Sequence, residues 1–111
     1  MKSSYKLGIC TEEGEKVFGE GPFRLLCGVE RNGSLHRSAQ DMNMAYSKAH
    51  AIIRKAEKEL GFKILISETG GKSGGGSIVT LQGRELMKRY GEFRTRASLE
   101  IERIYLEIFS G

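Results

Sequence analysis

Thr69-Gly70-Gly71-Lys72-Ser73-Gly74-Gly75-Gly76-Ser77 places one ammonium group and three hydroxyls on a backbone that is otherwise almost free of side chains. Five of the seven positions from Gly70 to Gly76 are glycine. Glycine admits positive φ and lets another surface come close to the main chain, so Lys72, Ser73 and the N–H of Gly74 suit contact with phosphate oxygens. Gly71-Lys72-Ser73 also ends like the nucleotide-binding loop G-x-x-x-x-G-K-[ST]. That loop needs glycine where this chain has Ile66, and a helix must follow it. Here Ile78-Val79 reads as a strand, which argues against a nucleotide. With Ile64-Leu65-Ile66 before it, the segment reads as the tip of a β-hairpin over 64–79. The plainer alternative is a hairpin tip with no partner.

A second set of donors falls on a helix expected from Ala45 to Leu60. At 100° per residue, Ala49, Ile52, Ile53, Ala56 and Leu60 gather in one arc. The opposite arc holds Ser47, His50, Ala51, Arg54 and Lys58, with Lys48 and Lys55 on its flanks. Small residues permit close approach to base edges, Ser, His and Arg can donate to bases or phosphates, and flanking lysines suit phosphate walls. The competing reading is a merely solvated basic face. Tyr46 sits at the edge of the apolar arc and either packs its ring or turns its hydroxyl outward. His50 is either a reader or edge packing.

Catalytic chemistry finds little support. No paired carboxylates and no nucleophile–base set occur at usable spacing, so no catalytic residue, no cofactor and no enzyme are expected. Neither His36 nor His50 has a ligand partner at metal spacing. Cys10 and Cys27 lack Cys-x-x-Cys spacing, a disulfide is not expected, and Cys27 reads as a small core residue.

The elements that must position these donors are legible in part. Two short strands are expected within 5–18, from Leu7, Ile9, Val17 and Phe18, with a turn at Glu13-Gly14. Gly19-Glu20-Gly21 breaks the pattern, and Pro22 is well placed in the first turn of a helix carrying Phe23, Leu26, Cys27 and Glu30. Asn32-Gly33 ends it. Ser34 caps a short helix from Leu35 to Gln40, and Met42-Asn43-Met44 joins that helix to the next. The fold class is mainly α with a small β component (α+β), as a single domain over 1–111. Its parts are a helix–turn–helix at 34–60, a wing at 64–79 and a long helix at 81–109 capped by Thr80. On that helix Leu86, Tyr90, Phe93, Ala97, Ile101, Ile104 and Ile108 recur nearly as a heptad seam. Such a seam on a helix ~40 Å long predicts a homodimer interface, the alternative being that it folds back on its own domain.

Charge follows the same map. The chain of 111 residues has a net charge of +4, and residues 31–89 alone carry eleven Lys/Arg against five Asp/Glu. Positive charge thus coincides with the helix–turn–helix and hairpin region, as a nucleic-acid footprint does. The polar start at Met1–Lys6 and the absence of a long apolar run predict no membrane partner and a cytoplasmic location.

The segments Gly33-Ser34-Leu35-His36-Arg37-Ser38-Ala39, Met44-Ala45-Tyr46-Ser47-Lys48-Ala49, Glu68 to Ser77 and Leu81-Gln82-Gly83-Arg84-Glu85-Leu86 resemble the N-terminal DNA-binding domain of ModE-type molybdate-responsive regulators, a winged helix related to that of LysR-type regulators. The likeness runs from about Leu7 to beyond Tyr90, and the glycine-rich wing is its specific part. It implies a dimeric winged helix that binds palindromic double-stranded DNA and regulates transcription. The matching contact segments are Tyr46-Ser47-Lys48 and the wing around Lys72. The chain departs from the family pattern at Ala45, where serine is usual, and at His50, where tryptophan is usual. It ends at Gly111 without the family's molybdate-binding domains, so molybdate binding is not expected in this chain. The DNA-contacting set is therefore Ser34, Arg37, Tyr46, Ser47, Lys48, His50, Arg54, Lys58, Lys72, Ser73 and Gly74. A second functional reading is a protein-interaction module or co-regulator with little DNA binding of its own.

Overall fold

Helix ends set the frame of this chain. A computed structural model describes residues 1–68 and 76–110. Among these residues, four helices and two antiparallel two-stranded sheets follow one another as β1 (Gly8–Cys10), β2 (Lys16–Gly19), α1 (Glu20–Asn32), α2 (Leu35–Asp41), α3 (Tyr46–Leu60), β3 (Leu65–Glu68), β4 (Gly76–Val79) and α4 (Leu81–Phe109). The architecture is mixed α+β.

The first sheet is shorter and later than the expected 5–18. Gly8 pairs with Gly19 and Ile9 with Phe18, after which the register slips and Cys10 meets Lys16. Successive strand residues normally face opposite sides. The slip accompanies the burial of both Val17 and Phe18. Gly14, at φ 91°, closes the turn by donating to the Thr11 carbonyl at 2.9 Å. Helix α1 starts at Glu20, with Pro22 in its first turn as expected. Proline is accommodated there, because first-turn N–H groups have no intrahelical partner, and Glu20 complements the positive end of the helix dipole.

Gly33 adopts the left-handed conformation at φ 74° and donates to Val29 O, ending α1. Ser34 then caps α2, its Oγ accepting from Arg37 N at 3.1 Å. Helices α1 and α2 touch where Gly28 faces Ser38: a Cβ on Gly28 would lie 2.1 Å from Ser38 Oγ. Ser38 Oγ donates to Leu25 O at 2.7 Å, so the buried hydroxyl is satisfied. The α2–α3 joint turns through Asn43 at φ 53°, a conformation that asparagine tolerates.

Phe18, Leu25, Leu26, Ala39, Ala49, Ile53, Ala56, Ile64 and Tyr90 form the closed centre of the core. Cys27 is half-buried at its margin rather than inside it. Burial raises its thiol pKa above the ordinary value, opposed by Arg31 and Arg94.

Candidate nucleic-acid interface

Helix α3 presents its expected outer arc. Ser47, Lys48, Ala51, Lys55 and Lys58 are exposed, and His50 and Arg54 are half-buried. Ala45 occupies the N-cap without a side-chain hydrogen bond, so the first N–H groups of α3 have no side-chain cap there. Arg37 is exposed on α2. Ser34 is half-buried with its lone pair committed to the cap, which leaves its proton free to donate.

Tyr46 does not enter the core. It is 45% exposed, and its ring lies between those of His36 and His50, with centroids at 5.3 and 5.8 Å. This three-ring ladder joins the start of α2 to the start of α3. Sequence reasoning missed His36 because the contact is tertiary and no spacing within one helix signals it. Arg54 is more constrained than a free reader of bases. Its Nη1 is ion-paired with Glu57 at 2.5 Å and its Nε donates to His50 Nε2 at 3.4 Å.

Glu57 is the functional-region residue that the sequence reading passed over. It is 7% exposed, and its Oε2 accepts from the backbone N–H of Ile64 at 2.7 Å and of Leu65 at 3.1 Å. One carboxylate therefore ties the last turn of α3 to the first strand of the second hairpin. A signal existed: Glu57 lies about 40° beyond Ile53 on the helical wheel, at the border of the apolar arc.

The second hairpin pairs Leu65 with Val79, Ile66 with Ile78, Ser67 with Ser77 and Glu68 with Gly76. Its base is held from three sides. Ser77 N donates to Gly33 O at 2.8 Å, Thr80 N donates to Ile64 O at 2.9 Å, and Thr80 Oγ1 donates to Lys63 O at 2.7 Å. The same Oγ1 accepts from Gly83 N at 2.9 Å and so caps α4. A Cβ on Gly83 would sit 2.7 Å from Ile64 O, so only glycine lets α4 seat this closely. Lys72, Ser73 and Gly74 lie outside the described residues.

Helix α4 divides its apolar stripe between two duties. Tyr90, read from spacing as an interface residue, is instead 1% exposed in the chain's own core. It packs edge-on against Phe18 at 5.4 Å and beside Phe23 at 5.1 Å, and its hydroxyl donates to Leu7 O at 2.9 Å. Burial, with Glu20 nearby, raises its phenol pKa. Leu86 is half-buried against the same core. Beyond them the stripe is open: Ala97 and Ile101 are half-buried, whereas Phe93, Ile104 and Ile108 are exposed.

Among the described residues, no group of three or more His, Cys, Asp or Glu side chains is placed to hold a metal ion. No helix among them is long and apolar enough to cross a membrane.

No family model matches this chain. Over 84 residues, 76% of its length, the chain is 27% identical to the molybdenum-pterin-binding protein MopB of Rhodobacter capsulatus. The match spans 31% of that protein, so the chain corresponds to about a third of its relative's length. The relative is named as a binding protein, and the likeness is distant.

Proposed function

We propose that this chain is a sequence-specific, dimeric DNA-binding regulator of the winged-helix type. Helices α2 and α3 act as the helix–turn–helix, α3 enters the major groove, and the β3–β4 hairpin is the wing on the phosphate backbone. The observation that carries the reading is the exposed Ser47, Lys48, Ala51, Lys55 and Lys58 face on a helix braced through Glu57 against that hairpin. The distant likeness to MopB over three quarters of the chain is compatible with it, and nothing in this reading requires the chain to bind a molybdenum compound.

The dimer forms along α4. Leu86, Phe93, Ala97, Ile101 and Ile108 are spaced symmetrically about Ala97, so two antiparallel copies bring Phe93 to the partner's Ile101 and Leu86 to the partner's Ile108. The adjoining flank then sets Arg96 against the partner's Glu100 and Arg89 against the partner's Glu107. Complementary flanks favour the antiparallel dimer.

Selection of genomic DNA fragments by the purified protein at ~0.15 M salt tests the reading, since non-specific electrostatic binding is weakened there. Recovery of one shared palindromic sequence is the expected result. Recovery of unrelated fragments, or of none, overturns the sequence-specific reading.

A further inference from the structure

Beside α3, on the flank where Lys48 and Lys55 border its outer arc, lies a cleft of about 330 Å³ lined by Lys16, Val17, Gly21, Pro22, Met44, Lys48, Ile52 and Lys55. It is built from β2, the start of α1, the α2–α3 joint and α3. Lys48 and Lys55 are two helical turns apart and differ by about 20° around the axis, so both border the cleft from one side. Lys16 reaches it from β2, and its stem lies across Gly19, where a Cβ would come within 3.1 Å of Lys16 Cε. None of the three lysines forms an ion pair among the described residues. Glu20, the carboxylate that follows β2, is engaged by Arg94 at 2.8 Å.

Three uncompensated cations around an apolar floor of Val17, Pro22, Met44 and Ile52 call for an anion that also carries an apolar face. A duplex backbone has that chemistry, because charged phosphates alternate with the C–H faces of deoxyribose. We propose that this cleft seats the backbone of the same duplex that α3 engages, which makes the β1–β2 hairpin a third DNA-contacting element. The proposal rests on the DNA-binding reading above. Lys48 is shared between the cleft and the flank of the α3 face, so one strand can run continuously from the groove wall onto Lys16. Nothing in the linear order of the chain signals this, since Lys16 and Lys48 are brought together only by the packing of β2 on α3.

The test compares the wild type with Lys16→Gln, Lys55→Gln and the double variant. Binding to a mixed-sequence duplex of about 30 base pairs is measured by fluorescence anisotropy from about 0.05 to 0.2 M salt. Each neutralised phosphate contact contributes about 0.9 to the slope of log affinity against log salt. Each single variant therefore lowers the steepness by about 0.9, and the double variant by about 1.8. Lys88→Gln, exposed on α4 and outside the cleft, leaves the slope unchanged. A wild-type slope retained by the Lys16 variant, whatever Lys55→Gln does, overturns the proposal while leaving the DNA-binding reading intact. Failure of the wild type to bind duplex even at the lowest salt overturns both. Lysine acetylation read by mass spectrometry supplies a second measurement without substitution. Duplex, but not inorganic phosphate, is expected to protect Lys16, Lys48 and Lys55. Equal protection by phosphate alone would make the cleft a free-anion site and refute the backbone assignment.

Discussion

Replacement of Glu57 tests the claim that one buried carboxylate fastens α3 to the second hairpin. Glu57→Ala leaves the N–H groups of Ile64 and Leu65, which it accepts at 2.7 and 3.1 Å, without their acceptor. A buried donor left unpaired costs about 1–3 kcal/mol. The Arg54 ion pair adds little, about 0–1 kcal/mol, because the Arg54 side chain is 39% exposed and regains water once Glu57 is gone. The expected total for Glu57→Ala is about 3 kcal/mol, with the range set by how far water reaches the two amides. Glu57→Gln keeps one carbonyl oxygen able to serve both amides and loses mainly charge assistance, so about 1 kcal/mol is expected. Urea unfolding followed by helical circular dichroism measures both variants, with the midpoint shifting and the slope unchanged. Amide hydrogen exchange locates the effect, and Ile64 and Leu65 should lose protection before the α1–α2 amides do. A Glu57→Ala protein as stable as the wild type, or one whose Ile64 and Leu65 amides stay protected, would refute the reasoning.

Two further outcomes are expected. Gly28→Ala must push its new methyl against Ser38, whose Cβ would be only 2.8 Å away, and should cost about 1–3 kcal/mol in a thermal melt; an unchanged melting temperature would show that α1 and α2 can part freely. In the antiparallel dimer, Arg96→Glu or Glu100→Arg alone creates two symmetry-related like-charge contacts, worth about 1–2 kcal/mol of association in sedimentation equilibrium. The double swap should restore the dimer, and a double swap as weak as either single variant would exclude this pairing.

Much of the fold is written in residues that act locally. Gly33 and Gly61 end α1 and α3 in left-handed conformations, and Thr80 caps α4 through its own hydroxyl, so these boundaries could be read directly. The start of α1 was less legible, because a proline is tolerated anywhere in the first turn and does not mark which residue begins it. The outer face of α3 was readable from its period, but the use of that face was not. Arg54 turns back to Glu57, and Tyr46 stacks with a histidine from another helix; both contacts arise from packing between elements. Tyr90 shows the same limit. Its place in the α4 stripe is correct, but periodicity cannot tell which partner covers each part of a stripe, and Phe18 and Phe23 claim this one.

The Thr80–Gly83 knot has a mechanical consequence. Because the first turn of α4 is pinned to Ile64 and Lys63, the helix cannot swing without carrying the hairpin base with it. Its 29 residues make a lever about 43 Å long. A tilt of about 5° at the pinned end therefore displaces the far end by roughly 4 Å, and the converse holds with the same ratio. Anything that grips α4 near Ile108 reaches the hairpin through the Tyr90 contacts with Phe18 and Phe23, which must shift with the helix, and in a pair of chains it also sets the distance between the two hairpins. The helix then works as a ruler whose zero mark is Thr80.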